Sequence, residues 1–539
     1  MLFPHPLLDA LRDSPGGVAF EHGSRAVSRG ELLEMIRRLA GALADAGLGP
    51  GRGVAVRTAV SPEAFAAHMA AHALGCRVVG VRPGYPAGQL AHVLGTGVDV
   101  LLVDRPNATP EGPLPVLVDR PNATPEGPLP VLVDRPNATP EGPLPVLVDR
   151  PSATPEEPLP VLSLAELLAR ADDGRPLTVR ARPDDVAALT FTSGSTGRPK
   201  GCAITYRALS DHWAWQPRVW GPVAAALADS FGRYLLFGTL ASMVVMEFLA
   251  PCLLGGGTAV IPEDDGRPLF PYAIERHRIT GSIITVPRLY QMLHLLKDDP
   301  VDVGSLRALM VSGSPISPSR LAAAVERLGP VVYQGYGQTE AGNIAMLTPA
   351  DIARGHVDSV GRPHPGVEIS VLDEEARQVA TGRTGEIHVR GPYLMSGYWG
   401  QPEETRDTLR DGRLRTRDLG YVDEEGFLHL VGRSRDVIMV NAMVVYAGPI
   451  ERVLAGHPDV DEAYVAGAPD ELTGEAVHAF VVPAAGRTPD RDTLTALVRA
   501  ELGDDSVPRT ITMVSAVPVA ASGKPDKRAL LDRPGGRML

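Results

Sequence analysis

Along the first hundred residues the apolar positions change period in a regular way. Leu32, Leu33, Ile36, Leu39 and Leu43 recur at the spacing of one helix face. That helix opens at the capping box Ser28-Arg29-Gly30-Glu31 and stops near Gly47. Residues 54–56 then read as a strand, 62–73 as a helix and 77–81 as a second strand. Strand, helix, strand at this spacing predicts a right-handed parallel unit in a layered α/β domain. The run at 187–191 reads as an apolar strand, and those at 283–286 and 308–311 as buried parallel strands followed by helices over 287–296 and 317–328. From about 366 to 431 the pattern turns to short strands and turns, including 385–389 and 426–430. The last hundred residues read as a small α/β unit, with strands near 463–466, 476–482 and 511–514. Its helix over 491–502 carries Leu494, Leu497, Val498 and Leu502 on one face. The predicted fold class is therefore α/β: a large N-terminal part over 1–432, with layered sheets and a β-rich part, and a small C-terminal domain over 433–539. A chain of 539 residues is too long for one core, which agrees with such a division.

Two stretches interrupt this pattern. Residues 235–261 are apolar apart from Glu247, long enough to raise the question of a membrane span. Pro251, the triple glycine Gly255-Gly256-Gly257 and Glu247 itself predict a buried helix, turn and strand instead. Residues 101–160 hold four copies of one 15-residue unit, Val-Leu-Val-Asp-Arg-Pro-Asn-Ala-Thr-Pro-Glu-Gly-Pro-Leu-Pro, with Leu101 opening the first and Ser152 and Glu157 in the last. A strict period suggests a solenoid, but four prolines per unit forbid helices and remove ladder donors. The expectation is a tandem expansion of one surface loop, extended and partly disordered, between a strand over 98–103 and a helix over 163–171.

The net charge of −12 argues against a nucleic-acid or anionic-membrane partner. Cys76, Cys202 and Cys252 are widely spaced, which predicts neither a disulfide framework nor a zinc site. The N-terminal Met1-Leu2-Phe3-Pro4-His5-Pro6 lacks the basic and long apolar regions of a signal peptide, so the expected location is cytoplasmic.

Candidate chemistry centres on Thr192, Ser193, Gly194, Ser195, Thr196 and Gly197, which follow the 187–191 strand and lead to Pro199-Lys200-Gly201. The glycines let backbone N–H groups converge on an oxyanion, the hydroxyls add donors, and Lys200 supplies a neutralising charge. It is not a Walker loop, because Pro199 precedes the lysine and Gly201 follows it. Ser312, Gly313 and Ser314 end a predicted parallel strand, where open α/β sheets place ligands. The run Tyr333-Gln334-Gly335-Tyr336-Gly337-Gln338-Thr339-Glu340 brings together an aromatic face, close-approach glycines, a hydroxyl and a carboxylate. Those groups suit a purine, a phosphate and Mg²⁺.

Taken together, and in this order along the chain, the motifs closely resemble those of the adenylate-forming superfamily: acyl-CoA synthetases, stand-alone adenylation domains and luciferases. The resemblance covers the chain outside the repeat. It implies a large adenylation domain and a mobile small one, with ATP, Mg²⁺ and CoA as cofactors. In such enzymes a carboxylate attacks the ATP α-phosphate, and a thiol then takes the acyl group from the adenylate. It further implies Thr339 and the 192–197 loop on phosphate, Mg²⁺ held through Glu340, and Asp418 and Arg433 on the ribose. Lys524, within Ala521-Ser522-Gly523-Lys524-Pro525, is implied to bridge carboxylate and phosphate.

Several positions depart from the family pattern. Arg417 precedes Asp418 where glycine is usual, Arg435 stands at the hinge, and Ala442 and Pro449 replace a common glycine and glutamate. The thiolation side is the more altered half. The acid pocket is expected from 237–250, 312–314 and 334–343, made apolar by Met243, Met246 and Ile344. No aspartate follows Phe237 to anchor an α-amine, so an aliphatic or aromatic carboxylic acid is expected rather than an amino acid. Three readings stay open: an acid–CoA ligase, an adenylation enzyme loading a separate acyl or peptidyl carrier protein, and a nucleotide-binding member without full activity.

Overall fold

A computed structural model describes residues 1–82, 85, 87–104, 159–170, 172, 174–192, 199–314, 316–433, 437–440, 443–470, 474–518 and 525–531. The α/β class is as expected, and the core explains why. The helix Pro62–Ala73, capped by Ser61, is buried at every position except Glu63. A helix that is apolar all round must lie inside a protein. It shares one core with the helix Met243–Leu254 and with one face of each of two large sheets, through Val54, Val56 and Val78 on one side and Phe20, Tyr234 and Ala259 on the other. The alternate residues Ala55, Val79 and Leu101 point to the opposite face of their sheet, into a second cluster, as the two-residue period of a strand requires.

The first sheet has seven strands in the order Gly397–Tyr398, Lys200–Thr205, Val186–Thr192, Arg77–Gly80, Gly53–Arg57, Val100–Val103, Val161–Ser163. The last five are parallel to their neighbours, and Lys200–Thr205 returns antiparallel to Val186–Thr192. The second sheet has nine strands, six of them parallel, with Ala308–Ser312 beside Val332–Gln338 and Gly342–Leu347 folding back antiparallel. The strands Glu368–Leu372, Gly385–Arg390, Arg413–Val422 and Leu428–Arg433 belong to a separate antiparallel sheet, the β-rich part. The C-terminal residues form a fourth sheet around Val460–Asp470 and Gly474–Pro483, covered by the helix Arg491–Leu502.

Local signals account for most of these elements. Ser28 and Glu31 form the capping box of the helix Arg29–Asp45, and Leu32, Ile36, Leu39 and Leu43 are fully buried while Leu33 is half-buried. The apolar stretch 235–261 resolves into a helix and the strand Thr258–Ile261. Among the described residues no helix is long and apolar enough to cross a membrane. All three cysteines are free and buried. Val161–Ser163 pairs in parallel with residues 101–103, a strand that the sequence pattern left out. Residues 105–158 of the repeat lie outside the described residues.

Candidate functional site

Parallel strands end on one side of their sheets, and the loops leaving those ends line a cleft of about 320 Å³. Thr192 comes from the end of Val186–Thr192, and Lys200 from the start of the returning strand. Ser312 and Gly313 come from the end of Ala308–Ser312, and Gly337, Gln338, Thr339 and Glu340 from the hairpin after Val332–Gln338. The antiparallel sheet closes the far side with Arg415, Thr416, Arg417 and Arg433. Residues distant in sequence thus meet in one place.

The hairpin explains one of the expected glycines. A Cβ on Gly337 would lie 2.2 Å from the Gly342 carbonyl oxygen, so no side chain fits there. At Gly335 a Cβ would meet side chains rather than backbone, Met310 at 3.2 Å and Asn343 at 3.3 Å.

Asp418 sits behind the cleft, only 4% exposed. Its Oδ2 accepts from Tyr336 Oη and from Gln338 Nε2, each at 2.6 Å, and its Oδ1 accepts from Arg433 Nε at 3.0 Å. Burial, and then the Asp418 charge, holds the Tyr336 phenol well above its usual range. Tyr336 is thereby pinned as a donor to Asp418 and is not part of the cleft lining, and Gly335, Ser314 and Asp418 also lie outside that lining. Ser193, Gly194, Ser195, Thr196, Gly197 and Lys524 fall outside the described residues, as do Arg435 and Ala442.

Glu340 accepts a hydrogen bond from Tyr398 Oη at 2.8 Å. Burial and the Glu340 charge push the Tyr398 phenol up, so it stays protonated and donating. Among the described residues no group of three or more His, Cys, Asp or Glu could hold a metal ion. A single carboxylate in a cleft nonetheless fits Mg²⁺, which dehydrates reluctantly and takes one or two carboxylates together with substrate phosphates.

Sequence reasoning missed the partner of Lys200. Its Nζ lies 2.5 Å from Glu404 Oε1, and 5.3 Å from the Tyr398 ring centroid. The hydrogen bond from Lys200 holds the Glu404 carboxyl below the usual range, with the Lys200 and Arg417 charges adding to it. Arg417 donates to Glu404 at 3.2 Å and to Asp407 at 2.9 Å. The bulky cation thus turns towards the helix Pro402–Thr408, from a backbone at φ 61°. Nothing in the spacing of Pro402-Glu403-Glu404 distinguishes it from an ordinary acidic helix start.

The apolar half of the cleft differs from expectation. The helix starts at Met243, not near Phe237, and Val244, Glu247 and Phe248 face the cleft from it. Met243 and Met246 line a separate small cavity with Phe3, His68 and His72, and Ile344 is fully buried in the core. The reason is helical phase: at about 100° per residue, positions 244, 247 and 248 share a side that 243 and 246 do not.

Comparison with known proteins decides the family. The AMP-binding enzyme model matches residues 8–399, and the model of the AMP-binding enzyme C-terminal domain matches residues 449–524. The chain belongs to the adenylate-forming AMP-binding enzymes. It is 31% identical over 522 residues to a feruloyl-CoA synthase of Amycolatopsis sp, covering 95% of each chain. It is 35% identical over 359 residues to the medium/long-chain-fatty-acid–CoA ligase FadD8 of Mycobacterium tuberculosis, covering 65% of this chain and 62% of that one. Among solved structures, the amide bond synthetase McbA from Marinactinospora thermotolerans superposes with a TM-score of 0.78 at 34% identity, covering 97% of this chain and 98% of that one. The family of this AMP-binding enzyme and its large-plus-small fold are those expected from its motifs.

Proposed function

We propose that this AMP-binding enzyme uses ATP to activate an aliphatic or aromatic carboxylic acid and passes the acyl group to the thiol of CoA. In the first step a carboxylate oxygen bonds to the α-phosphorus, the bond to the β-phosphate breaks, and pyrophosphate leaves. In the second the thiolate sulfur bonds to the acyl carbon, the bond to AMP breaks, and AMP leaves. Carboxylate and triphosphate repel each other, so the enzyme's task is positioning and charge neutralisation.

The observation that carries this reading is the meeting of Lys200, Ser312, Gly313, Thr339, Glu340 and Arg433 around one cleft whose other wall is the apolar Val244 and Phe248. In this reading Thr192, Ser193–Gly197 and Thr339 bind phosphates, and Lys200 leaves Glu404 to neutralise them. Glu340 holds Mg²⁺, which supplies Lewis-acid charge neutralisation when bound. Arg433 meets the ribose hydroxyls from the cleft lining, and Asp418 behind it reaches them when its bonds to Tyr336, Gln338 and Arg433 rearrange. Lys524 arrives from the C-terminal domain, taken as 433–539, to bridge the carboxylate and the α-phosphate. A reaction that consumes ATP and CoA fits the cytoplasmic location expected from the sequence.

Incubation of purified protein with an acid panel, ATP and hydroxylamine, repeated with CoA, tests both steps. Hydroxamate formation is expected with at least one acid, and acyl-CoA in the second run. Absence of hydroxamate with every acid, together with no pyrophosphate release, overturns the reading. A second reading concerns the acceptor alone. The 34% identity to an amide bond synthetase over 97% of the chain, with Ala442 and Pro449 altered on the thiolation side, supports an amine nitrogen as the alternative acceptor. Product analysis with CoA, an amine panel or a carrier protein distinguishes the acceptors.

A further inference from the structure

The helix Met243–Leu254 is apolar at every position but one. Glu247 lies at its centre and is only 4% exposed. A carboxyl group at such a place costs stability unless its oxygens find partners. One oxygen has them: Oε1 accepts from Trp213 Nε1–H at 2.9 Å and lies 3.5 Å from His212 Nε2. Those neighbours are themselves fixed. Trp213 stacks on His364 at 5.3 Å, and the His212 ring meets Tyr393 edge-on at 4.1 Å. A Cβ on Gly342 would touch Tyr393 at 2.5 Å, so the same group packs against the hairpin that carries Thr339 and Glu340.

The second oxygen of Glu247 has no hydrogen-bond partner among the described residues. It is not one of the fully enclosed unpartnered atoms either, and Glu247 lines the cleft between Val244 and Phe248, from which we infer that Oε2 is the atom turned to the cleft. A rigidly held acceptor therefore faces the apolar half of the substrate cleft. The reacting carboxylate gains nothing from a neighbouring carboxyl group, because both are acceptors. A hydrocarbon acid would cover Oε2 and leave it unpaired. A donor on the far end of the acid would satisfy it.

We propose that Glu247 is a specificity residue: its Oε2 accepts a hydrogen bond from a donor on the acid, so the preferred substrates are aromatic carboxylic acids carrying a ring N–H or a phenolic O–H away from the carboxylate. This rests on the acid-activation reading above and narrows its substrate class. Phe248 and Val244 pack on the ring, and Glu247 reads its polar edge.

Matched acids that differ at one atom test it. One set is indole, N-methylindole and benzofuran carboxylic acids, and the other is 4-hydroxy- and 4-methoxycinnamic acid. Pyrophosphate release gives kcat/KM, and calorimetry gives binding without turnover. The donor member of at least one set should exceed its partners by about tenfold or more, since a site built to bond a donor rejects analogues lacking it. The set that discriminates tells N–H from O–H. Glu247→Gln keeps an oxygen for Trp213 and turns an NH₂ to the cleft, so the preference should move to benzofuran or methoxy members. Glu247→Leu should level each set. Equal binding within both sets by the wild-type protein, no binding of any member, or a donor preference that survives in both variants overturns the proposal. If no acid releases pyrophosphate the activation reading fails, while the calorimetric preference still decides the role of Glu247.

Discussion

At the scale of single residues, charge placement decides function. In the proposed reaction Lys524 bridges carboxylate and phosphate, a contact needed only in the first step. Lys524→Ala should lower pyrophosphate release by a hundredfold or more, since losing one preorganised donor costs about 3 kcal/mol. Acyl transfer from a supplied adenylate should continue at near the wild-type rate. Pyrophosphate release within a few-fold of wild type would show that another cation does this work. Arg417 poses a different question, because its φ of 61° is a left-handed conformation that suits glycine. Its pairs with Glu404 and Asp407 offset that strain. Arg417→Ala loses the pairs and keeps the strain, whereas Arg417→Gly loses the pairs and relieves it. The glycine variant should therefore be the more stable by about 1 kcal/mol, read from urea midpoints; the reverse order would show that the backbone there is unstrained.

At the scale of elements, the buried helix Pro62–Ala73 carries a pH liability. Burial lowers His68 to about 4 and His72 to about 3, and it lowers His364, beneath Trp213, to about 4. All three are neutral in the fold, while the unfolded chain takes up protons near pH 6.5. Stability is then complete above pH 6.5 and is lost as pH falls from there towards 4, by at most about 1.4 kcal/mol per unit for each histidine. The urea midpoint should drop clearly between pH 7 and pH 5, above the range of ordinary carboxylates. An unchanged midpoint would mean that these rings are reached by water. The same helix shows how legible the elements were. Its bounds match those read from 62–73, and the helix Arg491–Leu502 matches too, because cap and periodicity are local signals. Val161–Ser163 was missed because three residues carry no period, and its pairing partner lies beyond the repeat.

At the scale of the whole molecule, the repeat connects two strands that are neighbours in one sheet, with Leu101 opposite Val161. Parallel neighbours need a connection of about a dozen residues to return from the end of one to the start of the other. Deleting 116–160 leaves one copy of the unit, which still supplies such a connection. Lengthening a flexible loop costs only about 0.6 kcal/mol per doubling. The shortened protein should keep its cooperative unfolding and its activity, with a melting temperature unchanged or slightly raised. A melting temperature lowered by several degrees would show that the copies pack on the domain.

The sequence by itself determined the family, the α/β class and the order of the motifs, because each motif is a short run whose chemistry and spacing are local. It also determined the helices whose caps and apolar period lie within the run. Only the tertiary structure decided which side chains share the cleft, since that depends on helical phase and on contacts between residues far apart in the chain. It set Val244, Glu247 and Phe248 in place of Met243 and Met246, and it paired Lys200 with Glu404 across 204 positions. It turned Tyr336 to Asp418, 82 positions away. It also left Glu247 at the cleft with one oxygen free of hydrogen bonds among the described residues, because Trp213, which donates to the other oxygen, and the neighbouring His212 lie on a separate segment.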